Sequence, residues 1–317
     1  MRPALRTRRA CRKLATALMA STVMLAGCAS AQPAGTQAPA SVSARPSPEA
    51  TGPVAAVYKD LVYRSIDGTD LHLDLYTSAH ANGQPSPVLV YFHGGAWARG
   101  QRPESWRGYS RFLQRGYAVI TVQYRLAGEA QAPAAVQDAR CVLHWIGANA
   151  DRYGFDVDRI VAHGTSAGGH LALMASYLEA ADGLDTPDCE GVPRVAAVLD
   201  FYGPTNLAQP YNGAASGRHP SVVRWVGDGP GAHDMDVRMS PLTYVGPDVP
   251  PTMIVHGDSD DVVTIDQSRE LYAALQRVEV PTDMVIVPGG GHGKFPDAEK
   301  ARVAGEVDRF LTTIGLP

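Results

Sequence analysis

The chain has 317 residues, 45% of them hydrophobic and 19% charged, with a formal charge of −4 at pH 7. Part of the positive charge sits at the N-terminus, so the remainder of the chain is more acidic still, and a basic surface for nucleic acid is excluded. No internal repeat divides residues 54–317, which suffice for one large α/β domain.

Arg2, Arg6, Arg8, Arg9, Arg12 and Lys13 precede an apolar stretch over 14–26. That stretch is shorter than the roughly 20 residues a membrane-spanning helix needs, and its basic-then-apolar order is that of an export signal. It closes on Leu25-Ala26-Gly27-Cys28, which looks like a bacterial lipobox with Cys28 as the lipidated first residue of the mature protein. The expected division is a signal peptide over 1–27, a flexible tether over 28–53 and a folded domain over 54–317. The tether is rich in Ala, Pro, Ser, Gly and Gln, with too little apolar surface to offset its ordering entropy. The chain is therefore expected to be exported and lipid-anchored, with the outer face of the bacterial cytoplasmic membrane as its partner. An ordinary signal peptide with an incidental cysteine would make it secreted instead. Export leaves Cys141 and Cys189 in an oxidising compartment, where a disulfide between them is expected; a buried Cys141 and an unrelated loop Cys189 are the alternative.

A first strand over 57–64 leads through an Asp67-Gly68 hairpin turn into a second, in which Leu71, Leu73 and Leu75 alternate with His72, Asp74 and Tyr76. Continuous apolar runs follow at 88–92, 117–122, 160–163, 195–201, 252–256 and 283–287, the pattern of parallel strands covered on both faces. Helical stretches at 104–114, 134–148, 167–180, 265–278 and 298–314 lie between them. This alternation predicts an α/β fold: a mostly parallel, doubly wound sheet with helices on both faces. Residues 205–239 fit neither period and carry Tyr211, His219 and Trp225; they read as a small cap, with a surface excursion as the alternative. Ligands of such sheets bind beyond the carboxyl edge of the strands.

Four loops leave that edge with candidate chemistry. Gly164-Thr165-Ser166-Ala167-Gly168 follows a strand, and a serine between glycines there suits a sharp strand-to-helix turn that exposes its hydroxyl. Upstream, His93-Gly94-Gly95-Ala96-Trp97 leaves backbone N–H groups free to face a developing oxyanion. His256-Gly257-Asp258-Ser259-Asp260-Asp261 and Gly289-Gly290-Gly291-His292-Gly293 follow the last two strands. Serine, acid and histidine in this chain order suit acyl transfer. A serine hydroxyl is a poor nucleophile, histidine can take its proton near neutral pH, and a carboxylate fixes the imidazole tautomer and stabilises the imidazolium. In the acid loop, Asp258 reads as bonding its own turn, and Asp261 as capping the next helix or meeting solvent.

These motifs, with GTSAGGHLA over 164–172, DFYGP over 200–204 and SPLTYV over 240–245, resemble the feruloyl-esterase and hormone-sensitive-lipase-like branch of the α/β-hydrolases. The resemblance runs from about Tyr58 to the C-terminus. It implies a carboxylesterase acting on short- to medium-chain acyl esters, a small-molecule ester as partner and no cofactor. It implies Ser166 as nucleophile, His292 as base and Asp260, in the pattern His-Gly-x-x-Asp, as the acid. The oxyanion loop is Gly94, Gly95 and Ala96 with the N–H of Ala167. Ala96 stands where glycine is more frequent and Thr264 where proline often follows the acid loop; neither removes a catalytic group.

Trp97 and Tyr202 are candidate linings of the acyl or alcohol pocket, with core packing as the alternative. His93 reads as an organiser of the oxyanion loop, and His163 and His170 as packed or capping. The acid loop lacks the spacing and terminal Glu of an EF-hand, so no metal is expected. Two rivals stand beside the esterase. An aromatic after His-Gly-Gly also resembles kynurenine formamidases, which makes an amidase or formamidase one of them. The other is a catalytically silent, tethered binding lipoprotein.

Overall fold

A computed structural model describes residues 51–209 and 217–317 of the chain. The expected signal peptide, Cys28, the expected tether up to residue 50 and Tyr211 of the expected cap lie outside the described residues. Eight strands form one sheet: β1 (Val54–Ile66), β2 (Thr69–Ser78), β3 (Ser86–Phe92), β4 (Ala118–Val122), β5 (Phe155–Thr165), β6 (Ala197–Phe201), β7 (Thr252–Gly257) and β8 (Thr282–Val287). Their order is β1-β2-β4-β3-β5-β6-β7-β8. The β1–β2 and β2–β4 pairs are antiparallel, and every other pair is parallel. Asp67 and Gly68 take φ of 50° and 80°, both left-handed as a two-residue hairpin turn needs.

The helices are α1 (Ser110–Gln114), α2 (Ala134–Ala148), α3 (Ala150–Tyr153), α4 (Ala167–Tyr177), α5 (Pro220–Val226), α6 (Ala232–Arg238), α7 (Ile265–Arg277) and α8 (Asp297–Thr313). Two apolar clusters lie on opposite faces of the sheet. Val90, Ile120, Leu143, Leu171 and Leu275 belong to one, packed with α2, α4 and α7; Leu89, Val119, Phe112 and Phe310 belong to the other, with α1 and α8. Adjacent residues such as Leu89 and Val90 thus enter different clusters, which is why the strands are apolar without alternation.

β3 sits mid-sheet, with β4 on one side and β5 on the other. The chain reverses its winding there, opening a crevice between the loops that leave β3 and β5. The two glycine-rich pentapeptides leave the sheet at that point.

Some elements differ from their expected form. β2 is not half-buried: Asp74 is 2% exposed and Tyr76 1%. The polar face is covered because Lys59 Nζ bonds Asp74 (3.0 Å), the Tyr76 hydroxyl (2.7 Å) and the Glu104 carbonyl (2.6 Å). The helix expected over 104–114 is a 3₁₀ turn at Trp106–Tyr109 followed by α1. Residues 205–239 contain α5 and α6, and their entry is fixed by Gln267, whose Oε1 accepts the N–H groups of Thr205 (2.8 Å) and Asn206 (2.7 Å). Cys141 of α2 and Cys189 form a disulfide with a Cα–Cα distance of 5.0 Å.

Candidate active site

Ser166 terminates β5 and caps α4 with φ 55° and ψ −123°, a sparsely populated conformation that costs about 1–3 kcal/mol for a residue with a Cβ. The surroundings enforce it. Its N–H donates to the Phe201 carbonyl (2.8 Å), and its own carbonyl accepts the His170 N–H (3.0 Å). The turn also depends on missing side chains: a Cβ on Gly164 would lie 2.1 Å from the Gly168 carbonyl oxygen, and one on Gly168 would lie 2.0 Å from that of Phe92.

His292 follows β8 and joins the other two groups. The Ser166 hydroxyl donates to its Nε2 at 2.8 Å, and its Nδ1–H donates to Asp260 Oδ2 at 2.7 Å. The ring is held edge-on by Tyr202, with centroids 4.8 Å apart. Asp260 is 8% exposed. Its Oδ1 accepts the N–H groups of Val262 (2.8 Å) and Val263 (3.0 Å). Burial alone would push this carboxyl up. Hydrogen bonds from His256, His292 and the two backbone N–H groups outweigh burial and hold it well below the usual carboxylate range. The other two aspartates of the loop are exposed. Asp258 accepts the N–H of Gly289 in the histidine loop (2.7 Å), rather than bonding only its own turn.

The His-Gly-Gly loop is wound tightly: φ is 129° at Gly95 and 55° at both Ala96 and Trp97, and the Gly95 carbonyl accepts the N–H groups of Ala98 and Arg99. Among the described residues, the backbone N–H groups of Gly95, Ala96 and Ala167 have no hydrogen-bond acceptor. Gly94 lets the loop lie against the turn at Ser166, since a Cβ there would sit 2.9 Å from the Thr165 carbonyl oxygen and 3.3 Å from Ser166 Cβ. His93 is buried and donates from Nδ1 to the Gly94 carbonyl (2.8 Å), stacked on Tyr124 with centroids 4.3 Å apart. Burial pushes its pKa down, so it stays a neutral strut.

Trp97 is a correction to the expected pocket lining. It is 1% exposed, stacked on Trp225 of α5 with centroids 4.5 Å apart, and its Nε1–H donates to His170 Nδ1 (3.2 Å). It is core that ties the loop of residues 93–97 to α5. His170 passes the tie on, donating from Nε2 to the Met239 carbonyl (2.7 Å), and burial lowers its pKa to about 4. Tyr202 is half-buried with its ring edge-on to that of His292.

Three supporting residues escape the sequence reading. His256 is fully buried, bonded to Ser268 Oγ (2.6 Å) and the Val263 carbonyl (2.8 Å), with its Nε2 3.2 Å from Asp260 Oδ2. Its place as the last large side chain of β7 before the acid loop is the signal that could have found it. Trp225 carries none, because the segment around it has no period. Asp200 lies buried behind the elbow, where burial lifts its pKa to about 8 against one hydrogen bond from the Gly203 N–H.

Residues 73–275 match the BD-FAE family, a feruloyl-esterase-like group of α/β-hydrolases. The chain belongs to that family. It is 27% identical over 277 residues to esterase LipC of Mycobacterium tuberculosis, covering 78% of this chain and 64% of LipC. It is 31% identical over 249 residues to esterase LipQ of the same organism, covering 74% of this chain and 57% of LipQ. The chain thus spans 57–64% of the length of these relatives. Among solved structures, a propionate-bound esterase of Thermogutta terrifontis matches with a TM-score of 0.67 at 26% identity, covering 81% of this chain and 94% of that one.

Proposed function

We propose that the chain is a serine carboxylesterase that hydrolyses short- to medium-chain acyl esters of small molecules through a covalent acyl-enzyme. The observation that carries this reading is the relay from Ser166 Oγ through His292 to Asp260, 2.8 and 2.7 Å long, beside unpaired N–H groups. Ser166 attacks the ester carbonyl while His292 Nε2 takes its proton. Asp260 holds the Nδ1–H tautomer and stabilises the imidazolium. The N–H groups of Gly95, Ala96 and Ala167 receive the oxyanion. His292 then protonates the departing alcohol, and water cleaves the acyl-enzyme by the same steps in reverse.

The relatives support the class of substrate: LipC and LipQ are named esterases, and the Thermogutta enzyme was solved with propionate and with butyrate. The test compares p-nitrophenyl butyrate with the matched anilide, in wild type and in Ser166→Ala. Ester turnover should exceed amide turnover and fall by about 10⁶ in the variant. Preferred cleavage of the anilide would make the enzyme an amidase.

We also propose that Cys28 is the lipidated first residue and anchors the domain to the outer face of the cytoplasmic membrane. One acyl chain anchors only marginally, so stable retention needs two or more. Cys28→Ala should move the protein from the membrane fraction to the soluble one; unchanged fractionation would contradict the anchor.

A further inference from the structure

On the α1/α8 face of the sheet lies a cavity of about 200 Å³, lined by Phe112, Phe201, Phe295, Val303 and His163 among others. None of Gly94, Ser166, Asp260 and His292 lines it. It adjoins the catalytic loops all the same, because Phe295 packs edge-on against Tyr202 with centroids 5.7 Å apart. Its volume is below the roughly 300–1,000 Å³ of sites for drug-sized ligands and suits a single ring.

The polar groups around it narrow the ligand. His163 donates from Nδ1 to the Leu199 carbonyl (2.9 Å), and its ring is fixed by edge contacts to Phe201 (4.8 Å) and Tyr91 (5.2 Å). In the neutral ring Nε2 is then an acceptor, and among the described residues it has no hydrogen-bond partner. Burial keeps the ring neutral, lowering its pKa to about 4. The two cations of the lining are already engaged: Arg111 with Asp308 and the Ala304 carbonyl, and Lys300 with Asp297 (2.7 Å). The cavity therefore offers aromatic walls and the His163 acceptor, beside two cations that already have carboxylate partners.

We propose that this cavity is a second binding site, separate from Ser166, for a small neutral phenol or aromatic alcohol. Its ring packs among Phe112, Phe201 and Phe295, and its hydroxyl donates to His163 Nε2. A purely apolar ring would leave that nitrogen desolvated and unpaired, which is the basis of selectivity.

The test uses p-cresol and toluene with the whole chain, binding being measured by ligand-observed NMR. We expect p-cresol to bind about three- to tenfold tighter than toluene, the worth of one hydrogen bond. Ala304→Trp, which pushes an indole into the cavity from α8, should weaken p-cresol by about tenfold or more while ester hydrolysis stays within about twofold. Val307→Phe, which narrows the cavity from the next turn, should act in the same direction. Binding that survives both substitutions, or that disappears once Ser166 is blocked by an organophosphate, would overturn the proposal. So would toluene binding as tightly as p-cresol. The readout is binding, so it stands apart from the proposed esterase activity.

Discussion

Replacing Asp260 with Asn tests the relay at the point where the structure constrains the outcome most. Asp260 Oδ1 accepts two backbone N–H groups, from Val262 and Val263. An asparagine must therefore present its carbonyl oxygen to them, because its NH₂ would set donor against donor. The NH₂ is then forced into the place of Oδ2, facing His292 Nδ1, from which Asp260 now accepts a hydrogen bond of 2.7 Å. His292 answers by moving its proton to Nε2, the nitrogen that lies 2.8 Å from Ser166 Oγ and must accept a proton there. The base is lost although every group remains. A wrong tautomer of this kind costs roughly 10⁴ in turnover, about 5.5 kcal/mol of transition-state stabilisation. The assay is kcat on p-nitrophenyl butyrate, for Asp260→Asn alongside Asp258→Asn and Asp261→Asn, with folding checked by thermal melts. The exposed pair should stay within about tenfold of wild type. Asp260→Asn within tenfold of wild type, or Asp258→Asn as the crippled variant, would refute the reasoning.

Trp225→Ala should cost about 3–5 kcal/mol of stability, as truncation of a buried aromatic does. It should also lower kcat by about ten- to a hundredfold well below the melting temperature, because Trp97 then loses its support beneath the oxyanion loop. Unchanged kcat in folded protein would mean that the cap does not brace the loop. Asp200→Asn should stabilise the fold increasingly as pH rises. The carboxyl is lifted from near 4 to about 8 by burial, so its neutral form costs nothing below pH 4. Between those values the unfolded chain ionises and the folded one does not, and wild type loses up to about 1.4 kcal/mol per pH unit. Melts of both proteins at pH 5 and pH 8 check this; a constant difference would contradict the buried neutral acid.

The parts legible in the sequence are those where one physical requirement dominates a short segment. β3, β4 and β7 appear as apolar runs within one or two residues of their ends, because both faces are covered; β8, at the sheet's edge, keeps an apolar run although Ile286 is 40% exposed. The turn around Ser166 is legible because Gly164 and Gly168 stand where a Cβ would strike backbone. β5 extends further toward its start than its apolar run, since Asp156, Asp158 and Arg159 there are polar and sit at the edge of the sheet's covered region. α5 and α6 are seven residues each, too short to show a helical period, and depend on tertiary packing instead. Trp97 illustrates a different limit. It lies beside residues whose pattern is plain, yet what it touches, Trp225, is set by chain crossing that local pattern does not contain.

On the proposed mechanism Ser166 alone becomes acylated, driven by His292. The most direct test is reaction of the whole chain with paraoxon, followed by peptide mass spectrometry. One diethylphosphoryl group per molecule should form on Ser166, in step with the loss of ester hydrolysis, and should be absent in His292→Ala. Full inactivation with the label on another residue, or undiminished hydrolysis after Ser166 is labelled, would contradict it.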